Sequence, residues 1–282
     1  MEKIAVLGLG LIGGSLALAL HQAGIARQIA GYDGDANATR RAKEREVITY
    51  ACATVEEAVR EADMVVLATP ILAIPELLER IAPILKPGVL VTDTASTKAQ
   101  VLTWAQTILP THAVFVGGHP MAGREYSGIE AAEAGLFEGC AYCLTPTMET
   151  PPEAVARLSE VVIRLGAHPL TLSAESHDRL VAGISHLPFV LSCTLVQILG
   201  REEEWPVMSR LAAGGFRDMS RLAAGNPTMY RDICVTNREA ILGWLDALAL
   251  QLDSVRSLIA TSDAALESYF AQAKQVREAV LS

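Results

Sequence analysis

Residues 3–20 read KIAVLGLGLIGGSLALAL, and this stretch decides the fold of the first part of the chain. The mostly apolar run Lys3–Leu7 is typical of a buried strand, and the alanine- and leucine-rich end of the stretch is typical of a helix. Gly8, Gly10 and Gly13 lie between the two with GxGxxG spacing, which allows a tight turn and a close approach of the backbone to a pyrophosphate. The stretch therefore predicts a Rossmann-type dinucleotide-binding unit.

Asp33 indicates which dinucleotide is bound. It follows the predicted strand Gln28–Tyr32, 20 residues beyond Gly13, where a carboxylate can accept hydrogen bonds from both ribose hydroxyls of NAD. The same carboxylate repels a 2′-phosphate, and no arginine follows it directly, so NAD is predicted rather than NADP. The predicted cofactor-binding residues are Gly8, Leu9, Gly10, Leu11, Ile12, Gly13, Asp33, Thr69 and Pro70. A glycine-rich turn in another class of α/β protein, such as a methyltransferase, is the alternative.

The composition of the 282-residue chain restricts its partners. With 51% hydrophobic residues the chain can bury a large core, and its length suggests two domains. A formal net charge of −9 argues against nucleic acid, because phosphate binding needs a basic face. Five scattered cysteines suit reduced thiols, and the lone CxxC of Cys140 and Cys143 lacks the further ligands that zinc needs. We expect no metal site.

Residues 7–20 could be mistaken for a secretion signal, since they are apolar and follow Lys3. Glycines interrupt the stretch, Glu2 offsets the charge of Lys3, and the stretch is too short to span a bilayer. No other stretch of the sequence is long enough to span a membrane either, so we expect a soluble, cytoplasmic protein.

Short apolar runs alternate with amphipathic ones as far as residue 172, which predicts a mostly parallel sheet covered by helices. The predicted strands are Lys3–Leu7, Gln28–Tyr32, Met64–Ala68, Val89–Asp93, Ala113–Gly117, Ala141–Leu144 and His168–Leu172, and helical patterns between them include Thr54–Glu61, Ile74–Leu85 and Glu153–Leu165. From residue 173 helical periodicity takes over, with one helix starting at Asn226-Pro227 and another covering residues 263–281. The predicted fold is an α/β Rossmann-type domain, residues 1–172, followed by an all-helical domain, residues 173–282. The apolar content of the helical domain predicts burial against a second subunit.

His119 is the first candidate for catalysis. It follows the predicted strand Ala113–Gly117, between Gly117-Gly118 and Pro120, where ligands of an open parallel sheet bind. An imidazole with a pKa near 6.5 suits a general base, although a structural histidine is an equal alternative from position alone. We expect flexible glycines to let this ring reach a ligand.

Arg217 and Arg221 are candidates for binding a carboxylate. They are four residues apart, hence on one face of a helix, and two guanidinium groups form a good carboxylate clamp. Asp218 could pair with Arg221, so an ordinary solvated ion pair is the alternative. Glycines on both sides of this segment favour a loop shaped around a ligand.

Taken together, the motifs resemble those of the prephenate/arogenate dehydrogenases of tyrosine biosynthesis, over nearly the whole chain. The resemblance rests on residues 8–15 (GLGLIGGS), Asp93 with Ser96-Thr97-Lys98, residues 118–123 (GHPMAG), residues 185–188 (SHLP) and residues 215–221 (GFRDMSR). The glycine loop is shared by many families, whereas GHPMAG and the last two motifs are specific to this one.

The resemblance implies an NAD-dependent oxidative decarboxylation, in which a cyclohexadienol loses a hydride from C4 and its ring carboxylate as CO2. It implies that His119 takes the proton of the C4 hydroxyl, that Ser96 helps to hold this hydroxyl, and that Arg221 binds a substrate carboxylate. The helical domain would close the cleft, supply the arginine and form the homodimer. The resemblance also implies that four residues line or gate the pocket: Glu125, His177, His186 and Asp218.

The resemblance leaves prephenate and arogenate both open as substrates. Some prephenate-specific members have a second histidine directly after the SHLP motif, where this chain has Phe189. Glu125 could pair with the amino group of arogenate or with an arginine that gates the pocket. We favour prephenate because NAD use often accompanies it in bacteria; an arogenate dehydrogenase or a dual-substrate cyclohexadienyl dehydrogenase is the alternative.

Two other classes of protein are alternatives, and the first of them shares the two-domain plan. A 3-hydroxyacid or imine reductase would be expected to have a lysine in the first long helix of the second domain, and residues 174–200 contain none. A non-catalytic NAD sensor would not need His119, Ser96 and Arg221 together. Both alternatives are therefore less favoured than the dehydrogenase.

Overall fold

The structure is a computed structural model that describes residues 1–123, 126–261 and 263–281. Its strands are β1 (Lys3–Leu7), β2 (Gln28–Tyr32), β3 (Tyr50–Ala51), β4 (Met64–Leu67), β5 (Leu90–Asp93), β6 (Val114–Pro120), β7 (Ala141–Thr145) and β8 (His168–Thr171). They form one eight-stranded sheet in the order β3-β2-β1-β4-β5-β6-β7-β8. All neighbouring strands are parallel except β6 and β7. The mostly parallel sheet confirms the predicted fold class.

Helices occupy most of the remaining chain. They are α1 (Leu11–Gln22), α2 (Ala36–Glu44), α3 (Val55–Val59), α4 (Ile74–Ile81), α5 (Ala99–Ile108), α6 (Pro152–Arg164), α7 (Ala174–Val181), α8 (Leu187–Leu199), α9 (Trp205–Leu211), α10 (Gly214–Ser220), α11 (Pro227–Thr236), α12 (Arg238–Thr261) and α13 (Asp263–Leu281). The predicted start at Asn226-Pro227 is confirmed, since the Asn226 side chain accepts hydrogen bonds from the backbone N–H groups of Thr228 and Met229. Helices alone follow β8 in the described residues, as the periodicity predicted.

The centre of the sheet is completely buried, because helices cover it. Four of the five residues of β1 and all four of β4 are buried, which explains why these strands are apolar runs without alternation. Helix α1 is also buried along most of its length, and Phe137 is among the fully buried residues of the same apolar cluster. The glycine loop is thus held between two buried elements.

Two features of the sheet differ from the sequence-based expectation. Strand β3 was not predicted, because it has only two residues and both are exposed. Strand β7 runs antiparallel to β6, whereas a strand–helix–strand pattern predicts a parallel pair. The described part of residues 121–140 contains only the short 3₁₀ segments Ile129–Ala131 and Ala134–Phe137, so it lacks the crossover helix that a parallel connection needs.

The backbone forms two compact units, Met1–Arg238 and Glu239–Ser282. The first unit contains the sheet together with α7 to α11, so the helices from residue 174 to residue 236 belong to the same unit as the sheet. In the second unit many large apolar side chains are exposed, namely Leu242, Trp244, Leu250, Leu252, Ile259, Phe270, Val276 and Val280. The predicted domain boundary, between residues 172 and 173, stays a prediction.

Residues Ala174–Leu199 form one continuous helical stretch made of α7, a π-helical segment Ala182–His186, and α8. The stretch has 26 residues, a mean hydropathy of 1.6 over its most apolar window and only 22% of that window buried. By length and composition alone it could cross a membrane, which corrects the expectation that no other stretch of the sequence could do so. The core helix of a soluble protein passes the same test, so the observation is weak evidence for a membrane span.

Candidate active site

The glycine loop after β1 forms a cradle that only glycine permits at two positions. Gly8 has a φ of +96°, and a Cβ built there would lie 2.3 Å from the carbonyl oxygen of Ala68. A Cβ on Gly13 would lie 1.9 Å from the carbonyl oxygen of Gly8. A Cβ on Gly10, in contrast, would project into open space with no atom within 4 Å. The first and third glycines therefore shape the turn, and the second leaves room for a ligand.

The groups around this open space suit a dinucleotide. Helix α1 begins there with no capping side chain among the described residues, so the N–H groups of its first turn remain available to an anion. The hydroxyl oxygen of Thr69 is buried without a hydrogen-bond partner in the described chain. A cleft of about 410 Å³ adjoins the loop, lined by Gly8, Gly10, Asp33, Thr69 and Pro70 among others. These residues fit the dinucleotide that the sequence predicted.

Asp33 closes the cleft at the end of β2. One of its carboxylate oxygens accepts the backbone N–H of Leu9 at 2.7 Å, and the other accepts that of Asp35 at 2.8 Å. Leu9 and Leu11 turn their side chains into the protein, where they are 0% and 8% exposed, so only their backbone can contact a cofactor. Ile12 is half-buried. The predicted cofactor residues thus gather at one site, mostly through backbone atoms.

His119 belongs to strand β6 and not to a flexible turn, which corrects the expectation for this residue. Strand β6 extends to Pro120, and His119 pairs with Cys143 of β7. Gly117 and Gly118 are tightly packed: a Cβ on the first would meet the Thr145 hydroxyl at 2.3 Å, and one on the second would meet the Asp93 carbonyl at 2.6 Å. The two glycines therefore allow close packing on both sides of β6, and they are not flexible hinges for the imidazole.

The His119 ring is hydrogen-bonded to a second histidine. Its Nδ1 lies 2.9 Å from Nε2 of His177, and Nδ1 of His177 lies 2.8 Å from the carboxylate of Asp178. The same carboxylate accepts the backbone N–H groups of Lys98 at 2.7 Å and Ala99 at 2.9 Å, at the start of α5. An unbroken hydrogen-bonded chain therefore runs from the N-terminus of α5 through α7 to His119.

Burial and neighbouring charge keep His119 neutral. Its pKa lies well below 6.5, first because the ring is desolvated, and then because His177, Lys98 and His186 oppose a further positive charge. Lys98 is itself fully buried, where its ammonium group donates to the Asp93 carboxylate and, at 2.7 Å, to the Gly118 carbonyl. Burial lowers the pKa of Lys98, against the opposing effect of Asp93. A neutral imidazole at neutral pH is the form that can accept a proton.

His186 lies in the π-helical segment close to this chain. Its Nδ1 is 3.3 Å from the amide nitrogen of Asn237, which also donates to the Asp178 backbone carbonyl at 2.8 Å. Its Nε2 is buried and has no hydrogen-bond partner among the residues that the structure describes. Burial lowers the pKa of His186 to about 4. A buried imidazole nitrogen without a protein partner is a group that a polar ligand could satisfy.

The other predicted site residues lie at the surface or on loops. Ser96 is half-buried, three residues after Asp93. Arg217, Asp218 and Arg221 are exposed. Helix α10 ends at Ser220, so the two arginines do not share one α-helix: the second begins a 3₁₀ segment, Arg221–Ala224. Glu125 lies outside the described residues.

The residues that hold His119 in place were not predicted from the sequence. Asp178, Asn237 and the ammonium group of Lys98 were assigned no role, although Lys98 was part of a quoted motif. A signal for Asp178 existed, since it directly follows His177, but no spacing rule connects residue 178 to residue 98.

Among the described residues no group of three or more histidine, cysteine or acidic side chains could hold a metal ion. Burial raises the pKa of the Cys140 and Cys143 thiols.

The doubly wound sheet, the pyrophosphate cradle and a neutral imidazole at the same edge of the sheet define a nicotinamide-dinucleotide-dependent oxidoreductase. The family described as "Prephenate dehydrogenase, nucleotide-binding domain" matches residues 16–171, and "Prephenate dehydrogenase, dimerization domain" matches residues 173–279. The chain belongs to the prephenate dehydrogenase family, which confirms the resemblance seen in its motifs. The match begins after the glycine loop, so the family does not rest on that loop.

Relatives with prephenate and with arogenate in their names are both similar to this chain. Prephenate dehydrogenase of Bacillus subtilis is 38% identical over 280 residues, which cover 98% of this chain and 76% of that protein. The crystal structure of prephenate dehydrogenase from A. aeolicus with hydroxyphenyl propionate and NAD+ has a TM-score of 0.93 at 29% identity, covering 99% of this chain and 98% of the other. The Synechocystis arogenate dehydrogenase structure has a TM-score of 0.86 at 34% identity, covering 99% and 100%.

Proposed function

We propose that this protein catalyses the NAD+-dependent oxidative decarboxylation of prephenate to 4-hydroxyphenylpyruvate in tyrosine biosynthesis. The observation that carries the proposal is the neutral, buried imidazole of His119 at the carboxyl end of β6, on the same edge of the sheet as the glycine cradle. Similarity to prephenate dehydrogenases over nearly the full chain supports the same substrate.

The reaction asks little of the protein beyond orientation and one proton transfer. Bound NAD+ supplies the acceptor for the hydride that leaves C4 of the substrate. His119 accepts the proton of the C4 hydroxyl as the C–H bond breaks, and the ring carboxylate leaves as CO2 while its bonding electrons complete the aromatic ring. His119 then returns the proton to the phenol oxygen, so the overall reaction releases none. Aromatisation supplies the driving force, and the site supplies position and a base.

The substrate has two carboxylates and a hydroxyl that need partners. We assign the C4 hydroxyl to Ser96 together with His119, and a carboxylate to Arg221 with Arg217 beside it, because a guanidinium group binds a carboxylate through two parallel hydrogen bonds. The unpartnered Nε2 of His186 suits a further substrate oxygen. The resemblance places Glu125, Asp218 and His177 around the same pocket, and these roles remain proposals.

Phe189 is the residue that bears on the choice between prephenate and arogenate. Its ring stacks on that of Tyr230 of α11, so it presents an apolar surface where some prephenate-specific relatives have a histidine. Arogenate dehydrogenase, or a dual-substrate cyclohexadienyl dehydrogenase, is therefore the second candidate function. The arogenate dehydrogenase from Synechocystis, similar over 99% of the chain, favours this alternative.

The assembly and location follow from the helical part of the chain. We propose a homodimer formed through residues 173–282, because the family description of this part is a dimerization domain and large apolar side chains are exposed on α8, α12 and α13. Residues 1–172 would then be the NAD-binding domain. Burial of α8 against a second copy also accounts for its apolar composition without a membrane, and we propose a soluble enzyme of the cytoplasm.

A steady-state comparison tests substrate and cofactor together. The purified protein is assayed with prephenate and with arogenate, each with NAD+ and with NADP+, and NADH or NADPH formation is followed. We expect the highest kcat/KM for prephenate with NAD+. A higher value with arogenate would identify an arogenate dehydrogenase, and turnover of neither substrate would refute the proposed function.

A further inference from the structure

We propose that His177 and Asp178 are positioning residues that keep the proton of neutral His119 on Nδ1, so that Nε2 is the nitrogen that accepts the substrate proton. The inference rests on the proposed function for the identity of the substrate, but the tautomer itself follows from the hydrogen-bonded chain alone. No ligand is needed to hold it.

The chain starts from a carboxylate that can only accept hydrogen bonds. Asp178 is 5% exposed, and its two oxygens accept the backbone N–H groups of Lys98 and Ala99. Both N–H groups belong to the start of α5, where the helix dipole stabilises a negative charge. The N-cap residue of α5, Lys98, makes no capping side-chain hydrogen bond, so Asp178 of α7 serves as the cap. Both oxygens of this carboxylate therefore act as hydrogen-bond acceptors.

The protons of the two histidines follow from that carboxylate. Because ionised Asp178 has no proton to donate, Nδ1 of His177 must carry one and donate it across the 2.8 Å contact. In a neutral ring the other nitrogen, Nε2, is then bare and accepts. Nδ1 of His119, 2.9 Å away, must therefore be the donor. In neutral His119 the lone pair is consequently on Nε2.

The opposite tautomer would be costly at this site. It would place a bare Nδ1 of His119 against the bare Nε2 of His177. If His177 changed its tautomer as well, its bare Nδ1 would instead face the carboxylate of Asp178, so that two acceptors would meet there. His177 is 0% exposed, so water cannot relieve either mismatch. Asn237 holds the same turn of α7 by donating to the Asp178 carbonyl. The chain is thus set before any substrate binds.

The same chain stabilises the charged state of His119 during the reaction. When Nε2 takes the substrate proton, the ring becomes cationic and its Nδ1–H still donates to His177. The carboxylate of Asp178, one ring further, offsets the new charge, while the nearby ammonium group of Lys98 is already paired with Asp93. The arrangement is the hydrogen-bond logic of an oriented general base, with a second imidazole between base and carboxylate.

The tautomer can be measured directly by ¹⁵N NMR on the full-length protein labelled at histidine. The chain has six histidines, so the His119 signals can be assigned from the spectrum of His119→Asn. At a pH above 7 we expect Nδ1 of His119 protonated and Nε2 bare, with and without NAD+. Protonation of Nε2 in the wild-type protein would overturn the inference. This measurement needs no substrate, so it stands apart from the test of the proposed function.

Two substitutions at position 177 separate positioning from packing. In His177→Gln an amide oxygen can accept the His119 Nδ1–H, whereas His177→Leu has no acceptor. We expect kcat within about tenfold of wild type for the glutamine variant, and roughly 10- to 150-fold lower for the leucine variant, the range for one lost hydrogen bond to a charged group. KM for NAD+ should be unchanged in both. Equal kcat values in the two folded variants would overturn the role of His177. If the leucine variant does not fold, the glutamine variant alone decides. A wild-type kcat together with an Nε2–H signal of His119 in that variant would overturn the role as well.

The part played by Asp178 has a matched control elsewhere in the fold. Asp63 also accepts two backbone N–H groups, those of Glu2 and Lys3, and pairs with Lys86, but it lies at the beginning of β4, at the opposite end of the strands. We expect Asp178→Asn to lower kcat at least about tenfold with little change in KM for NAD+, and Asp63→Asn to leave kcat unchanged. A wild-type kcat for Asp178→Asn would overturn its assignment as a positioning residue.

Discussion

The glycine cradle and the histidine chain lie at the same edge of the sheet, yet they are built in opposite ways. The cradle comes from one uninterrupted stretch, residues 8–13, and works mainly through backbone atoms and empty space. The histidine chain joins groups that are far apart in the sequence: the side chains of His119 and His177 are 58 residues apart, and the backbone N–H of Lys98 is 80 residues from the carboxylate of Asp178. A local sequence pattern can specify the first arrangement, whereas only packing between α5, β6 and α7 can create the second.

The two regions also use burial differently. In the cradle, burial excludes side chains, so that a ligand can approach the backbone. In the histidine chain, burial removes water from titratable groups, which lowers the pKa of His119 and of His186. Binding should therefore depend on the cradle and turnover on the histidine chain, and four experiments test this separation.

Removal of the base should have the largest effect. His119→Asn retains polarity but cannot accept the substrate proton, so we expect kcat to fall by about 10²–10⁴, the range for loss of a general base. The dissociation constant for NAD+, measured by calorimetry, should stay the same because the cradle is untouched. His168→Asn, at an exposed position of β8, is the control and should have wild-type kcat. Near-normal turnover of His119→Asn would show that the base lies elsewhere.

Replacement of Arg221 tests whether the substrate carboxylate binds outside both the glycine cradle and the histidine chain. For Arg221→Ala we expect KM for prephenate to rise roughly 10- to 150-fold, the cost of a hydrogen bond between charged groups, with a smaller change in kcat. Arg27→Ala is the matched control, because Arg27 pairs with Glu2 at the exposed surface before β2. An unchanged KM in Arg221→Ala would place the carboxylate clamp on other residues.

Two glycine substitutions separate binding from folding within the cradle. In Gly10→Ala the new methyl group enters open space, so we expect an unchanged Tm but NAD+ affinity lower by roughly 5- to 150-fold, from the 1–3 kcal/mol typical of overpacking. In Gly13→Ala the methyl group would overlap the Gly8 carbonyl, so both Tm and affinity should fall. Unaltered NAD+ affinity in Gly10→Ala would mean that the pyrophosphate does not pass over this residue.

The last expected effect is on stability and not on activity: a pH dependence of the free energy of unfolding that originates in the histidine region. The pKa of His186 falls from 6.5 to about 4 in the folded protein, and that of His119 is also lowered. Below pH 6.5 the unfolded chain binds protons that the native chain does not, so the free energy of unfolding should fall as the pH falls. At about 1.4 kcal/mol per pKa unit, His186 should contribute about 3 kcal/mol of this fall between its pKa in the unfolded chain and its pKa in the folded protein.

Urea unfolding between pH 6.5 and 4.5 measures this dependence. The groups facing His186 include Asp178, which opposes the shift, and His177, which adds to it. His186→Asn should flatten the dependence, whereas His168→Asn at the surface should leave it as in wild type. A His186→Asn variant with the wild-type slope would mean that His186 is protonated equally in the folded and unfolded chain.

Most of the fold could be predicted from the sequence, because most of its strands and helices are specified by local sequence patterns. Buried parallel strands such as β1 and β4 are apolar runs, and an Asn-Pro pair specifies the start of α11 through capping, so both are legible locally. Strand β3 and the direction of β7 were not predicted, because a two-residue exposed strand has no hydrophobic pattern and strand direction depends on the connecting segment.

The candidate site could be predicted in part. His119 and His177 were both named from the sequence, but as a flexible base and a residue lining the pocket, and the structure joins them by a hydrogen bond. The packed glycines before His119 were misread as flexible, because a sequence does not reveal which atoms a missing Cβ would meet.

The sequence by itself determined the dinucleotide cradle, the choice of strands and helices, and the family, because each depends on residues that are neighbours along the chain or recur as complete motifs. The tertiary structure decided which groups hold His119, and hence which of its nitrogens is the base. Tautomers and pKa values depend on the donors, charges and water within a few ångströms of a ring, and packing brings those together from residues 98, 119, 177 and 178.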